Sequence, residues 1–207
     1  MSSALPSERK SLRLHFRAAR RSLAPRRRHR LERDVLAALE RSPCWKKARH
    51  VALYIPNDGE VDLTPLARLH EGKKLYLPCL KRDHSLKFRR WWPKTPLRRN
   101  RLGIGEPAGT RLCPIGELDL ILMPLVAFDP SGNRLGMGGG FYDRSLAGFA
   151  GRRGKPWLVG VAFELQCHPA LPDAPWDVPL DLILTEKGLR RPRKHARDPN
   201  LPQATSY

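Results

Sequence analysis

Five compact, mostly apolar runs constrain this chain more than anything else in it: VALYIP (Val51 to Pro56), KLYLP (Lys74 to Pro78), LDLILMP (Leu118 to Pro124), WLVGVAF (Trp157 to Phe163) and DLILT (Asp181 to Thr185). Runs this short, with so little polar alternation, suit strands buried on both faces. Helical or glycine-rich segments lie between them, which gives a βαβ rhythm. The fold class expected is therefore α/β: a single three-layer domain, a largely parallel sheet flanked by helices, with ligands gathering outside the carboxyl ends of the strands. Upstream, Ser7 is placed to cap a helix carrying Leu12, Phe16, Ala19 and Leu23, and Pro25 suits the first turn of a second helix with Leu31, Val35, Leu36 and Leu39. Thr64-Pro65 opens a short helix, and LKFRRWW (Leu86 to Trp92) is a basic, β-prone segment.

At 207 residues the chain suits one domain, expected over 1–190, followed by a polar, Pro-containing tail over 191–207 without apolar periodicity. The formal net charge is +19, so the summed field attracts phosphates, carboxylates, nucleic acid and anionic lipid alike. Charge does not choose among them. The excess is mostly arginine in a chain also rich in Ala, Pro and Gly, the bias that GC-rich coding imposes. Cys44, Cys79, Cys113 and Cys167 are scattered without metal-site or redox spacing and read as reduced thiols. The N-terminus lacks an apolar signal region and no uncharged run reaches membrane-span length, so a cytoplasmic protein without membrane contact, and a monomer, is expected.

The richest segment is MPLVAFDPSGNRLGMGGGFYDRSL (Met123 to Leu146). Gly136, Gly138, Gly139 and Gly140 precede a helical-looking stretch, a pattern that lets backbone amides and a helix N-terminus surround a phosphate. The same glycines also suit a plain structural turn. No Gly-Lys-Ser/Thr follows, so this is not a Walker A loop, and the spacing does not fit a dinucleotide fingerprint.

The run Asn133 to Arg144 (NRLGMGGGFYDR) resembles the signature segment of the 5-formyltetrahydrofolate cyclo-ligase family. The likeness extends through RKSLR (Arg9 to Arg13), YIPNDGEVD (Tyr54 to Asp62), GIGEP (Gly103 to Pro107) and WDVPLDLILTE (Trp176 to Glu186). It implies an architecture similar to CoA-transferase-like proteins and an ATP- and Mg²⁺-dependent conversion of 5-formyltetrahydrofolate, with or without a polyglutamyl chain, to the 5,10-methenyl compound. By resemblance, Asp143, Arg134 and Tyr142 are catalytic. Arg9 or Lys10, Arg13, Arg134, Gly136, Met137, Gly138, Gly139, Gly140, Phe141 and Tyr142 contact ATP, with Arg9 against Lys10 left open for the family's lysine. Ile55, Glu60, Tyr142 and Trp92 face the folate, with Phe88 and Trp91 as further aromatic candidates. Asp143 and Asp181 hold the metal.

Met137, Gly139 and Phe141 stand where some relatives carry basic residues or a tyrosine. Two other readings stay open on sequence alone: a nucleotide or nucleic-acid binding module using the arginines near Arg20, Arg21, Arg26, Arg27 and Arg28, and a phosphosugar or acyl-CoA transferase. The main reading expects no specific nucleic-acid partner.

Overall fold

The computed structural model describes residues 4–68, 72–149 and 156–193. Two long helices come first, α1 (Ala4–Arg21) and α2 (Pro25–Arg41), then the short α3 (Pro43–Lys47). Pro25 occupies the first turn of α2, where its missing N–H costs nothing. Helix α1 already runs from Ala4, so Ser7 lies inside the helix and does not cap it. In α2 the stripe Leu31, Val35, Ala38 and Leu39 is buried, as helical spacing requires.

The remaining elements are β1 (His50–Ala52), β2 (Lys74–Leu80), β3 (Leu86–Trp91), β4 (Leu97–Arg99), β5 (Gly105–Pro107), β6 (Leu112–Cys113), β7 (Leu120–Pro124), β8 (Ala127–Phe128), β9 (Arg134–Leu135), α4 (Phe141–Leu146), β10 (Trp157–Val161), β11 (Leu182–Thr185) and β12 (Gly188–Arg190). Eight of the strands form one sheet in the order β12-β11-β10-β7-β1-β2-β3-β6. The five inner strands, β11 to β2, are parallel, and β12, β3 and β6 add antiparallel edges. The five apolar runs are the five parallel strands, and the basic segment at 86–91 is the first antiparallel one. Strand β1 is shorter than the VALYIP run because the chain leaves the ladder after Ala52, although Leu53 N–H still reaches Tyr76 O (2.8 Å).

Alternate residues of these strands feed two cores. Val51, Leu75, Leu120, Val159 and Leu182 pack with the helix α2 stripe. Ala52, Tyr76, Ile121, Leu158 and Ile183 pack on the other face with Leu146 of α4 and with Leu125, Phe128, Val178 and Leu180. That second covering layer is thus one short helix and irregular chain, leaner than the helical layer expected. Arg193 N–H donates to Pro130 O (2.7 Å), so the first residues of the expected tail are docked; the rest of it, 194–207, lies outside the described residues.

Candidate functional site

The sheet order fixes where a site belongs. From β1 the chain moves to β2 on one side, while β7, on the other side of β1, leads to β10 and β11. The β1/β7 boundary is the switch point, and segments leaving the carboxyl ends of two such strands diverge and open a crevice. A cleft of about 1390 Å³ lies there, lined by Tyr54, Ile55, Asn57 and Glu60 after β1 and by Pro124 and Leu125 at the end of β7.

One wall is the loop carrying Glu60. Asp58 (φ 51°) and Gly59 (φ 79°) both take left-handed backbone, and Glu60 N–H donates to Asn57 O (3.1 Å), a tight turn of the primed type that Asp-Gly favours. Helix α1 clamps this turn. Asp58 receives Arg17 (2.7 Å), Arg20 (3.0 Å) and Arg21 (3.3 Å), while Arg20 also donates to Asp58 O (2.8 Å) and Leu125 O (2.9 Å). Arg20 is wholly buried, so truncating it would take a donor from Asp58 O and the nearest cation from Glu60, at a cost of about 1–3 kcal/mol, while Asp58 keeps Arg17 and Arg21 and Leu125 O keeps Gln166 Nε2 (2.9 Å). Arg28 adds a bond to Gly59 O (2.7 Å). Part of the charge of the basic helices is thus turned inward, which removes Arg20 from any nucleic-acid surface, while Arg26 and Arg27 stay exposed.

The turn delivers a buried carboxylate. Glu60 accepts from Asn57 N–H (3.1 Å) and lies 3.7 Å from Arg20 Nη2. Burial pushes its pKa up to about 7, with the Arg20 charge opposing. Tyr54 and Tyr142 flank it, and burial followed by the Glu60 charge raises both phenols. Tyr54 donates its proton to Val61 O (2.9 Å), whereas the Tyr142 hydroxyl has no hydrogen-bond partner among the described residues.

The other wall is the glycine loop and its ion pairs. Gly138 (φ 99°) and Gly140 (φ 63°) hold left-handed backbone, which favours glycine. A Cβ on Gly139 would sit 2.3 Å from the Phe141 ring. Among the described residues no N–H from Gly136 to Gly140 donates to a protein acceptor. Such unsatisfied donors in turn conformations are what an anion site needs. Arg13 Nε donates to Gly136 O (2.8 Å), bringing a guanidinium against the loop; burial, then the nearby Arg9 charge, lowers its pKa.

Arg9 pairs with both oxygens of Asp177 (2.9 and 3.3 Å), yet its buried Nε has no partner. Arg134, nearly buried, donates to Asp143 Oδ1 (2.6 Å) and to Val178 O; Val178 N–H donates to the same Asp143 oxygen (3.1 Å). Asp143 Oδ2 has no hydrogen-bond partner among the described residues. Asp143 and Asp177 therefore sit on adjoining stretches of one wall, interleaved with Arg9 and Arg134. Helix α4 is only six residues long, shorter than the sequence suggested, so the anion-binding capacity rests on the loop and the arginines.

The structure thus brings together in one cleft Arg9, Arg13, Ile55, Glu60, Arg134, Gly136, Met137, Gly138, Gly139, Gly140, Phe141, Tyr142 and Asp143. It leaves three expected residues out. Lys10 is exposed outside the cleft, one helical step from Arg9. Trp92 is 45% exposed beyond the end of β3, away from the lining, while Phe88 and Trp91 are core. Asp181 precedes β11 and accepts from Leu158 N–H (2.9 Å) near the amino ends of the strands, opposite the cleft. Asp177 lines the cleft instead. It stands four residues earlier in the same WDVPLDLILTE stretch, and only the loop path between β10 and β11 separates their positions. Trp176, 71% exposed on the rim, and Arg20 were also missed as site residues. The charge on Arg20 disguised it as surface.

A family model described as the 5-formyltetrahydrofolate cyclo-ligase family matches residues 6–186. A 5-formyltetrahydrofolate cyclo-ligase from Haemophilus influenzae is 39% identical over 183 residues, 86% of this chain and 97% of the relative. One from Escherichia coli K12 is 37% identical over 176 residues, 82% and 96% of the two lengths. The NMR structure of 5,10-methenyltetrahydrofolate synthetase from Aquifex aeolicus superposes with a TM-score of 0.79 at 36% identity, covering 96% of both chains. With a model match spanning nearly all the described residues, and relatives covered almost end to end, the chain belongs to the 5-formyltetrahydrofolate cyclo-ligase family.

Proposed function

We propose that this ligase converts 5-formyltetrahydrofolate and ATP into 5,10-methenyltetrahydrofolate, ADP and phosphate. The observation carrying the proposal is that one cleft joins a polyanion wall (Arg9, Arg13, Arg134 and the open N–H groups of 136–140) to an apolar recess ending in Glu60. ATP suits the first and a pterin the second. A pterin presents ring and amino N–H donors, and Glu60 is a fixed acceptor for them. Ile55 and the bodies of Tyr54 and Tyr142 supply flat apolar contact.

A formamide carbonyl is a weak electrophile, and direct closure by N10 would have to expel hydroxide. Transfer of the terminal phosphoryl group to the formyl oxygen releases ADP and makes that oxygen part of a phosphate leaving group. N10 then adds to the formyl carbon, phosphate departs, and the N10 proton is lost as the ring closes. The protein contributes position and charge: Arg9, Arg13 and Arg134 face the phosphates, and the glycine loop donates backbone N–H groups.

The donor set fits Mg²⁺. Asp143 and Asp177 are hard oxygen ligands beside the anion wall, one carboxylate oxygen of Asp143 is open, and Mg²⁺ is usually held by one or two carboxylates plus phosphate oxygens. When bound it would offset phosphate charge. A basic recess of about 300 Å³ adjoins the cleft through Leu80 and Asn100 and is lined by Lys87, Arg89, Arg98 and Arg99. We assign it to glutamyl carboxylates; equal affinity for mono- and polyglutamates at low ionic strength would remove that assignment. No described helix is long and apolar enough to cross a membrane, and we place the enzyme in the cytoplasm as a monomer. The decisive assay follows the absorbance of methenyltetrahydrofolate as it forms with Mg-ATP. Absence of that signal from folded protein, with each substrate supplied, would refute the activity.

A further inference from the structure

At the amino ends of the strands, away from the cleft, three chemically different donors converge. An imidazole nitrogen of His50, the thiol of Cys113 and a carboxylate oxygen of Glu117 all lie within 4.8 Å of one another. His50 opens the central strand β1, Cys113 ends the edge strand β6, and Glu117 closes a single helical turn over Ile115–Glu117. That turn, closed by Glu117 N–H on Pro114 O (3.0 Å), brings the carboxylate back beside the thiol. We propose that His50, Cys113 and Glu117 bind a divalent transition metal of the zinc class.

Imidazole, thiolate and carboxylate are the ligands such an ion takes, at about 2.0–2.3 Å each, so they must close to about 3.5 Å from one another. His50 Nδ1 and Cys113 Sγ are already 4.0 Å apart, and exposed Glu117 is free to swing. The surroundings hold the site in place. Asp119 Oδ2 accepts from the His50 backbone N–H (2.8 Å), which fixes the start of β1, and the Tyr76 hydroxyl, 3.2 Å from His50 Nδ1, gives up that nitrogen when the metal binds. Glu117 and Asp119 both face the thiol, against one guanidinium, Arg111. The local field therefore favours a cation. Binding exchanges the Cys113 thiol proton for the metal and releases it to solvent. The fourth position opens to water beside Glu117. Such an ion would staple the crossing from edge strand β6 to central strand β7 onto the start of β1. Sequence spacing hides this set because one ligand lies 63 residues from the next.

The test uses the full chain, reduced and metal-free, titrated with Co²⁺ alone. One equivalent should produce a thiolate-to-cobalt charge-transfer band with visible bands of four-coordinate cobalt, and one equivalent of Zn²⁺ should abolish both. Cys113→Ser should lose the charge-transfer band, and Glu117→Gln, at an exposed position that leaves the fold alone, should keep it while weakening binding about tenfold. Zn²⁺ should raise the melting temperature of the parent protein and not of Cys113→Ser. Absence of the band at one equivalent, or its survival in Cys113→Ser, overturns the proposal. None of these readouts depends on turnover, so they stand apart from the assay of the ligase.

Discussion

The two walls of the cleft handle charge in opposite ways. At the phosphate wall, Arg9 is paired with Asp177 and Arg134 with Asp143, so charges are neutralised while partly open to solvent. At the pterin wall a single carboxylate is buried, with its main cation 3.7 Å away and already committed to Asp58 and Leu125. Under the proposed function the first wall is an exchange, in which an incoming polyanion takes over arginines that the aspartates now hold. The second holds a desolvation penalty that only a hydrogen-bonding ligand relieves. The second wall is poised on a proton.

The largest expected effect breaks the exchange wall. Asp143→Asn keeps size while removing charge, so the fold should survive with turnover down about 10²–10⁴-fold. Asp177→Asn should behave alike, with extra Mg²⁺ partly restoring both. Single-turnover kinetics on the folded variants checks this, and turnover close to the parent at limiting Mg²⁺ would reduce Asp143 to a partner for Arg134. Next, Arg9→Ala should raise the KM for ATP about 10- to 100-fold, because it removes a bidentate, charge-assisted donor. Lys10→Ala should change it less than about twofold, as for an exposed charge; the reverse order would mean that the helix face is misassigned.

The pH dependence sharpens the second wall. Glu60 ionises near 7 in the folded chain against a reference of 4.5. Below 4.5 both states are protonated, and between these values the folded state holds the extra proton, so stability falls as pH rises through that window. Glu60→Gln should flatten the fall and be more stable at pH 8 by at most about 3 kcal/mol, at about 1.4 kcal/mol per pH unit. Folate binding runs the other way: it needs the carboxylate, so KM for folate should rise as pH drops below 7 and become flat, and about tenfold higher at pH 8, in the variant. A parent KM independent of pH from 6 to 8 would sever Glu60 from the folate. Smallest of all, Trp92→Ala and Asp181→Asn should leave both KM values within about twofold, since neither side chain lines the cleft; a larger loss from Asp181→Asn alone would restore it to the metal.

The parallel strands were legible because burial on both faces leaves its mark in consecutive apolar residues such as Leu120 to Met123. The glycine loop was legible because Gly138 and Gly140 occupy backbone that few other residues tolerate. Asp177 was less so, since two aspartates four apart in a loop look equivalent until the chain's path sends one into the cleft and the other to Leu158. Tryptophan misled for a related reason: Trp91 closes β3 with its ring in the core, Trp92 follows past the end of the strand and is exposed, and neither lines the cleft. Arg20 was hidden by composition, because in a chain of charge +19 one buried arginine looks like the rest.

Helix α1 carries Arg9 to Asp177, Arg13 to the glycine loop, and Arg17 and Arg20 to the turn that presents Glu60, at spacings that keep all four on a single stripe. Arg9 and Arg20 are separated by about 16 Å of rise at 1.5 Å per residue. The helix is therefore a ruler laid between the two walls of the cleft. Its outward-facing residues are free to drift, but its length is not: one residue inserted between Arg13 and Arg17 turns one half about 100° from the other, and a gauge of this kind fails all at once.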